Sequence, residues 1–176
     1  MRPMPQLHDL TSHQMTKMLR NLDGWIVKAI EHAQAVEFDA DKFVGYALAP
    51  DMFTFGRQVQ AACDAAKLAV ARLADVQAPV HEDTETTLAQ LRARIAAVIA
   101  FVEGVDRDAV DAGEHREIQL SFLPGKAVEG DHYLVDFAQA NFYFHVTTAY
   151  AILRHGGVRL GKRDFIGHLR MHDAPE

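Results

Sequence analysis

The sequence predicts an all-α protein, a four-helix bundle with a small β-hairpin between its third and fourth long helices. Three observations carry that expectation. Four separate segments place apolar residues every three or four positions, the pattern of a helix with one buried face. Residues suited to capping and termination flank these segments. A single stretch, residues 116–130, changes to the alternating period of a strand.

The first seam runs through Met15, Met18, Leu19, Leu22, Trp25, Ile26, Ile30 and Ala33, with Thr11 or Ser12 as its N-cap. A connector, "EFDADKFVGYALAP", ends at Pro50 and opens a second helix expected from Asp51 to Asp75, with Met52, Phe55, Val59, Ala62, Ala66, Val70 and Leu73 on one side. After "VQAPVHEDTE" the third seam uses Leu88, Leu91, Ile95, Val98, Val102 and Val105, capped by Thr84 or Asp83. In "REIQLSFLPGKAVEG" Ile118, Leu120 and Phe122 alternate with polar neighbours before a turn at Pro124-Gly125, which reads as a hairpin that must lean on the bundle. The fourth seam passes through Leu134, Phe137, Asn141, Phe144, Thr148, Ile152 and His155, from Asp131 as cap to the stop at Gly156-Gly157. Four such helices pack as a bundle.

A chain of 176 residues, 49% hydrophobic, supports one core, so a single domain over 1–176 is expected, its tail from about residue 158 packing on the bundle end. Net charge is -6 and the basic residues are scattered, which argues against nucleic acid as a partner. No window reaches the ~20 apolar residues of a spanning helix, and the first residues have no apolar run of signal-peptide length, so the expected setting is cytoplasmic and away from membranes. The single Cys63 sits among small apolar residues and reads as an inert core thiol.

Three polar residues interrupt the fourth seam. Asn141, His145 and Thr148 share one strip of the helix, and Arg57, Gln58, Gln60 and Asp64 on the second helix are their polar counterparts. They form either a satisfied internal network or a small-molecule pocket in which His145 is the near-neutral titrating group and Arg57 holds an anion. His8, His13, His168 and His172 near the termini, His81 and His115 in connectors and His132 in the first turn of the fourth helix read nearly all as solvent-facing, and His32 lies at the edge of the first seam. No metalloprotease motif, paired-cysteine site, phosphate loop or nucleophile elbow is present.

The blocks "FVGYALAPDMFTFGRQVQAACDAAK" and "NFYFHVTTAYAILRHGGVRLGKRDFIG" resemble an uncharacterised bacterial family of the DinB/YfiT-like helical bundles, over about Leu19 to Gly167. The resemblance implies an up-down-down-up bundle, often dimeric, in a superfamily where many members bind a divalent metal through three histidines. Its last helix would begin with an H-x-x-x-H pair, for which this chain offers Asn141 and His145. The second helix, which would supply the third ligand, has Arg57, Gln58 and Gln60 but no histidine. A small-molecule-binding bundle with a degenerate metal site and no cofactor is therefore expected. The alternatives are a metal-dependent or thiol-dependent transferase or hydrolase with His145 in the site, holding Zn or Ni, and a structural dimerisation protein with apolar surface around Trp25. A homodimer is expected from the resemblance and from Met4, Met52, Phe53 and Phe55, which exceed the needs of the interior.

Overall fold

The seam that begins at Met15 folds as α1, Gln14–Ala35, with Met15, Leu19, Leu22, Ile26, Ala29 and Ala33 fully buried. The computed structural model describes residues 6–174; of the apolar residues expected at an interface, Met4 lies outside them. Neither Thr11 nor Ser12 caps α1, because a π-helical turn, Asp9–His13, already runs into it and the Thr11 hydroxyl donates to the Leu7 carbonyl at 2.6 Å. The connector holds a 3₁₀ turn, Ala40–Gly45, that buries Phe43.

α2, Phe55–Ala74, starts later than Asp51 because Thr54 takes the N-cap and accepts from the Arg57 N–H at 3.4 Å. It ends where Asp75 turns left-handed at φ 58°. α3, Leu88–Gly104, is capped by Thr87 instead of Thr84 or Asp83. The reason is local: Gln90 stands three residues after Thr87 and closes a reciprocal capping box that the earlier residues cannot make. A short α4, Arg107–Asp111, leads to the hairpin of β1, Glu117–Gln119, and β2, Ala127–Glu129, paired antiparallel with Ile118 opposite Val128. The strands stop short of Phe122, which stands out from the hairpin loop.

The last long helix is continuous but not uniform. α5, Gly130–His132, begins after Glu129 with no side-chain cap, so Asp131 lies inside its first turn. A π turn, Tyr133–Ala138, then passes into α6, Gln139–His155. A π turn admits an extra residue, and each residue rotates the helix face by about 100°. The buried line accordingly steps through Leu134, Ala138, Phe142, Val146, Ala149 and Leu153. Of the line expected from a uniform α-period, Leu134, Thr148 and Ile152 are buried, but Asn141 lies at the edge, Phe144 is 57% exposed and His155 is exposed as well.

Contacts between helices fix their directions. Arg20 meets Glu103 while Arg92 meets Asp23, so α1 and α3 are antiparallel. Gln58 meets His145 and Arg72 meets Tyr133, so α2 and α6 are antiparallel. Gln14 meets Tyr143, and Trp25 packs on Tyr150, so α1 and α6 run the same way. The arrangement is up-down-down-up. α2 and α3 are therefore parallel, and residues 76–87 must return along the whole bundle as an extended strap.

The tail does not cap the bundle end. α7, Lys162–Ile166, lies along the middle of α1, where Trp25 donates to the Asp164 carbonyl at 3.1 Å and Asn21 to the Phe165 carbonyl at 2.9 Å. Trp25, on the first seam and the centre of exposed surface only in the dimerisation alternative, is 2% exposed and stacks on Phe165. Phe55 is likewise fully buried. Among the described residues no helix is long and apolar enough to cross a membrane.

Candidate functional site

The π turn places Asn141 and His145 at the edge of α6, facing α2 across a groove of about 280 Å³. Ala61, Ala65 and Ala138 give that groove a shallow floor, because side chains this small leave the two helix backbones uncovered. Phe53, Phe122, Tyr133 and Phe137 wall it with aromatic rings.

His145 is half-buried, and its Nδ1 lies 2.7 Å from Oε1 of Gln58, which is itself 1% exposed. An amide oxygen only accepts, so Nδ1 carries the proton and Nε2 keeps its lone pair. The ring stacks on Phe53 at a centroid distance of 6.4 Å and meets Phe144 edge-on at 5.2 Å. Burial, and secondly the Arg57 guanidinium, push the His145 pKa below its usual value. The side chain is therefore a neutral imidazole at physiological pH.

The other candidates divide between two places. Asn141 lines the groove with no side-chain hydrogen bond among the described residues. Thr148 stays outside the network; its hydroxyl donates back to the Phe144 carbonyl at 2.7 Å, within its own helix. Gln60 turns to the opposite side of α2, where Nε2 donates to Glu85 at 2.9 Å and Oε1 accepts from Arg57 at 3.2 Å. Arg57 links both places. It lines the groove, lies over the Phe53 ring at 5.4 Å, and pairs with Asp83 of the strap.

The second place is a buried charge cluster that holds the strap. Arg94 on α3 has a side chain only 1% exposed and pairs with Asp64 at 2.8 Å, Asp83 at 2.7 Å and Glu85 at 3.1 Å. Lys67 pairs with Asp64 at 2.8 Å and donates to His81 Nδ1 at 2.8 Å. His81 is therefore not solvent-facing, and burial followed by Lys67 lowers its pKa. Burial alone would raise Asp83, but hydrogen bonds from Arg57 and Arg94 outweigh it and hold the carboxyl low. Three cations, Arg57, Lys67 and Arg94, thus face three carboxylates, Asp64, Asp83 and Glu85.

The sequence contained signals for parts of this that the seams alone conceal. Arg94 stands three residues after Leu91 and one before Ile95, on the apolar side of α3, where an arginine needs carboxylates. Lys67 likewise follows Ala66 on the buried side of α2. Arg72 and Tyr133, which meet at 3.0 Å across the groove, had no such signal, because the π turn decides which way Tyr133 points.

The donors around His145 do not fit a divalent cation. His145 is the one histidine among the described residues lining the groove, its neighbour in the expected ligand pair is the amide Asn141, and a guanidinium stands beside it. Among the described residues no three His, Cys, Asp or Glu side chains gather in an arrangement that could hold a metal. Cys63 supplies no nucleophile: it is buried, and burial pushes its thiol up to about 12.

Residues 7–166 match the family described as domain of unknown function (DUF1993). The chain is similar to the crystal structure of a DinB family member protein from Shewanella denitrificans, with 43% sequence identity, 96% of each chain covered and a TM-score of 0.91. No curated protein matches.

Proposed function

The chain belongs to the DUF1993 family of DinB-like helical bundles, and from that premise we propose that the groove between α2 and α6 binds a small organic molecule, with the superfamily metal site degenerate and no metal cofactor required. One observation carries this reading. His145 is oriented by a buried partner, Gln58, while its Nε2 and the Asn141 amide remain without protein partners among the described residues, in a groove walled by aromatic rings. Orientation by a rigid neighbour with polar valences left over is the character of a binding site, where a few polar groups fix a ligand that apolar walls desolvate. A purely internal network would leave no such groups.

Titration with 4-phenylbutyramide, a neutral aromatic probe, followed by ¹H–¹⁵N NMR tests the reading. Shifts should concentrate at the side-chain amides of Gln58 and Asn141 and disappear in Ala61→Leu, which fills the groove floor. Shifts scattered over the surface, or none at millimolar probe, would overturn it.

The enzymatic alternative, a transferase or hydrolase, is favoured by one fact: a neutral His145 with a free Nε2 can accept a proton. We also propose that the protein is a homodimer. Support comes from the apolar side chains left exposed near the groove and on α6, Phe53 at 50%, Phe122 at 58% and Phe144 at 57%.

A further inference from the structure

The groove has a charged end. Arg72 lines it, half-buried, with its guanidinium 5.6 Å above the Tyr133 ring and one N–H donated to the Tyr133 hydroxyl at 3.0 Å. Tyr133 is 1% exposed, so this partner is fixed. Among the described residues no carboxylate pairs with Arg72. That separates it from Arg57, which is engaged by Asp83 and Gln60, and from Arg94, which faces three acids. Asp64, the one carboxylate among the described residues lining the groove, is already neutralised by Arg94 and Lys67, each at 2.8 Å.

An arginine held in place by an aromatic ring and a hydroxyl, with N–H donors to spare, presents the planar fork that carboxylates match two bonds at a time. Along the same wall, Asn141 lies about 12 Å from Tyr133 by helical rise. Between them stand Phe137 and Phe122, their rings 5.3 Å apart. The spacing defines a ligand: an anion at one end, an aromatic or other apolar body about 10 Å long, and a polar end in reach of Asn141 and His145.

We propose that the groove selects small organic carboxylates and that Arg72, positioned by Tyr133, is the residue that binds the carboxylate. This rests on the groove being a binding site at all, and adds the chemical class of its ligand. The test compares two probes of equal shape, 4-phenylbutyrate and 4-phenylbutyramide, by NMR titration of the full chain. The acid should bind about tenfold or more tightly than the amide, the factor a charge-assisted hydrogen bond supplies. Arg72→Gln should bring the affinity for the acid down to about that for the amide, and Tyr133→Phe should reduce the preference by freeing the guanidinium without removing it. Equal affinities for acid and amide in the wild-type chain would overturn the carboxylate class and leave the groove reading intact. Groove-localised binding of neither probe would overturn both. A preference that survives Arg72→Gln but vanishes in Arg57→Gln would show that the anion sits at the other end and overturn the assignment to Arg72.

Discussion

His145 gains its character from what surrounds it. Burial, then Arg57, disfavours the imidazolium, so its NMR titration midpoint should lie below the ordinary value of about 6.5 and move back up in Arg57→Gln. The linkage follows from that direction. A histidine whose folded pKa is depressed contributes stability that is present above about pH 6.5 and is lost as pH falls through the lower folded midpoint. Melting temperature should therefore decline with acidification in that window, and His145→Ala should flatten the decline only in part, because His81 and His13 are depressed as well. At neutral pH the same variant leaves the buried Gln58 carbonyl oxygen without its donor. That costs about 1 to 3 kcal/mol, nearer the lower figure because the ring is half-exposed, with about 2 to 4 °C of melting temperature lost per kcal/mol. A neutral or stabilising His145→Ala would mean that Gln58 finds another partner and that the ring serves only a ligand.

At the scale of the element, the strap depends on α3. Arg94→Met removes the cation that three carboxylates share, and breaking a buried ionic cluster in this way costs about 3 to 5 kcal/mol. Asp64 and Asp83 are about one-third exposed, so solvent softens the loss and the low end is expected. Differential scanning calorimetry should show a fall of about 6 to 12 °C. Hydrogen exchange over residues 81–86 should quicken more than that of the helices. If the strap stays protected, its hold comes from elsewhere. Elements of this kind were only partly legible in the sequence. The seams of α1, α2 and α3 named their buried residues well, since a regular α-period maps sequence directly onto a face. In the last helix a uniform α-period points to Asn141, Phe144 and His155 over Phe142 and Val146, because nothing in the composition of "YLVDFA" announces a π turn. The site is half-legible for the same reason: the sequence points to His145, Gln58 and Arg57, Thr148 and Gln60 turn elsewhere, and Arg72, Tyr133 and the strap depend on tertiary geometry.

For the whole molecule, the exposed aromatic residues near the groove predict association. Light scattering at high micromolar concentration should give twice the 19.6 kDa chain mass, and Phe144→Glu should halve it. A clean monomer for the wild-type chain would sink the proposal. The parallel run of α2 and α3 has a consequence of another kind, in time. Two antiparallel neighbours joined by a short loop can zip from the turn, but these two share no turn, and their strap closes only when both helices already stand in place. Nor can α1 zip with α3 or α2 with α6, since each pair is far apart along the chain. α1 and α2 are consecutive and antiparallel, but the larger interfaces, α2 with α6 and α2 with α3, join helices that share no hairpin, and contacts of long sequence separation slow folding. Refolding after dilution from denaturant should be slower than for an up-down-up-down bundle of the same length, and Arg94→Met should chiefly speed unfolding, since a strap that closes last contributes little to the transition state.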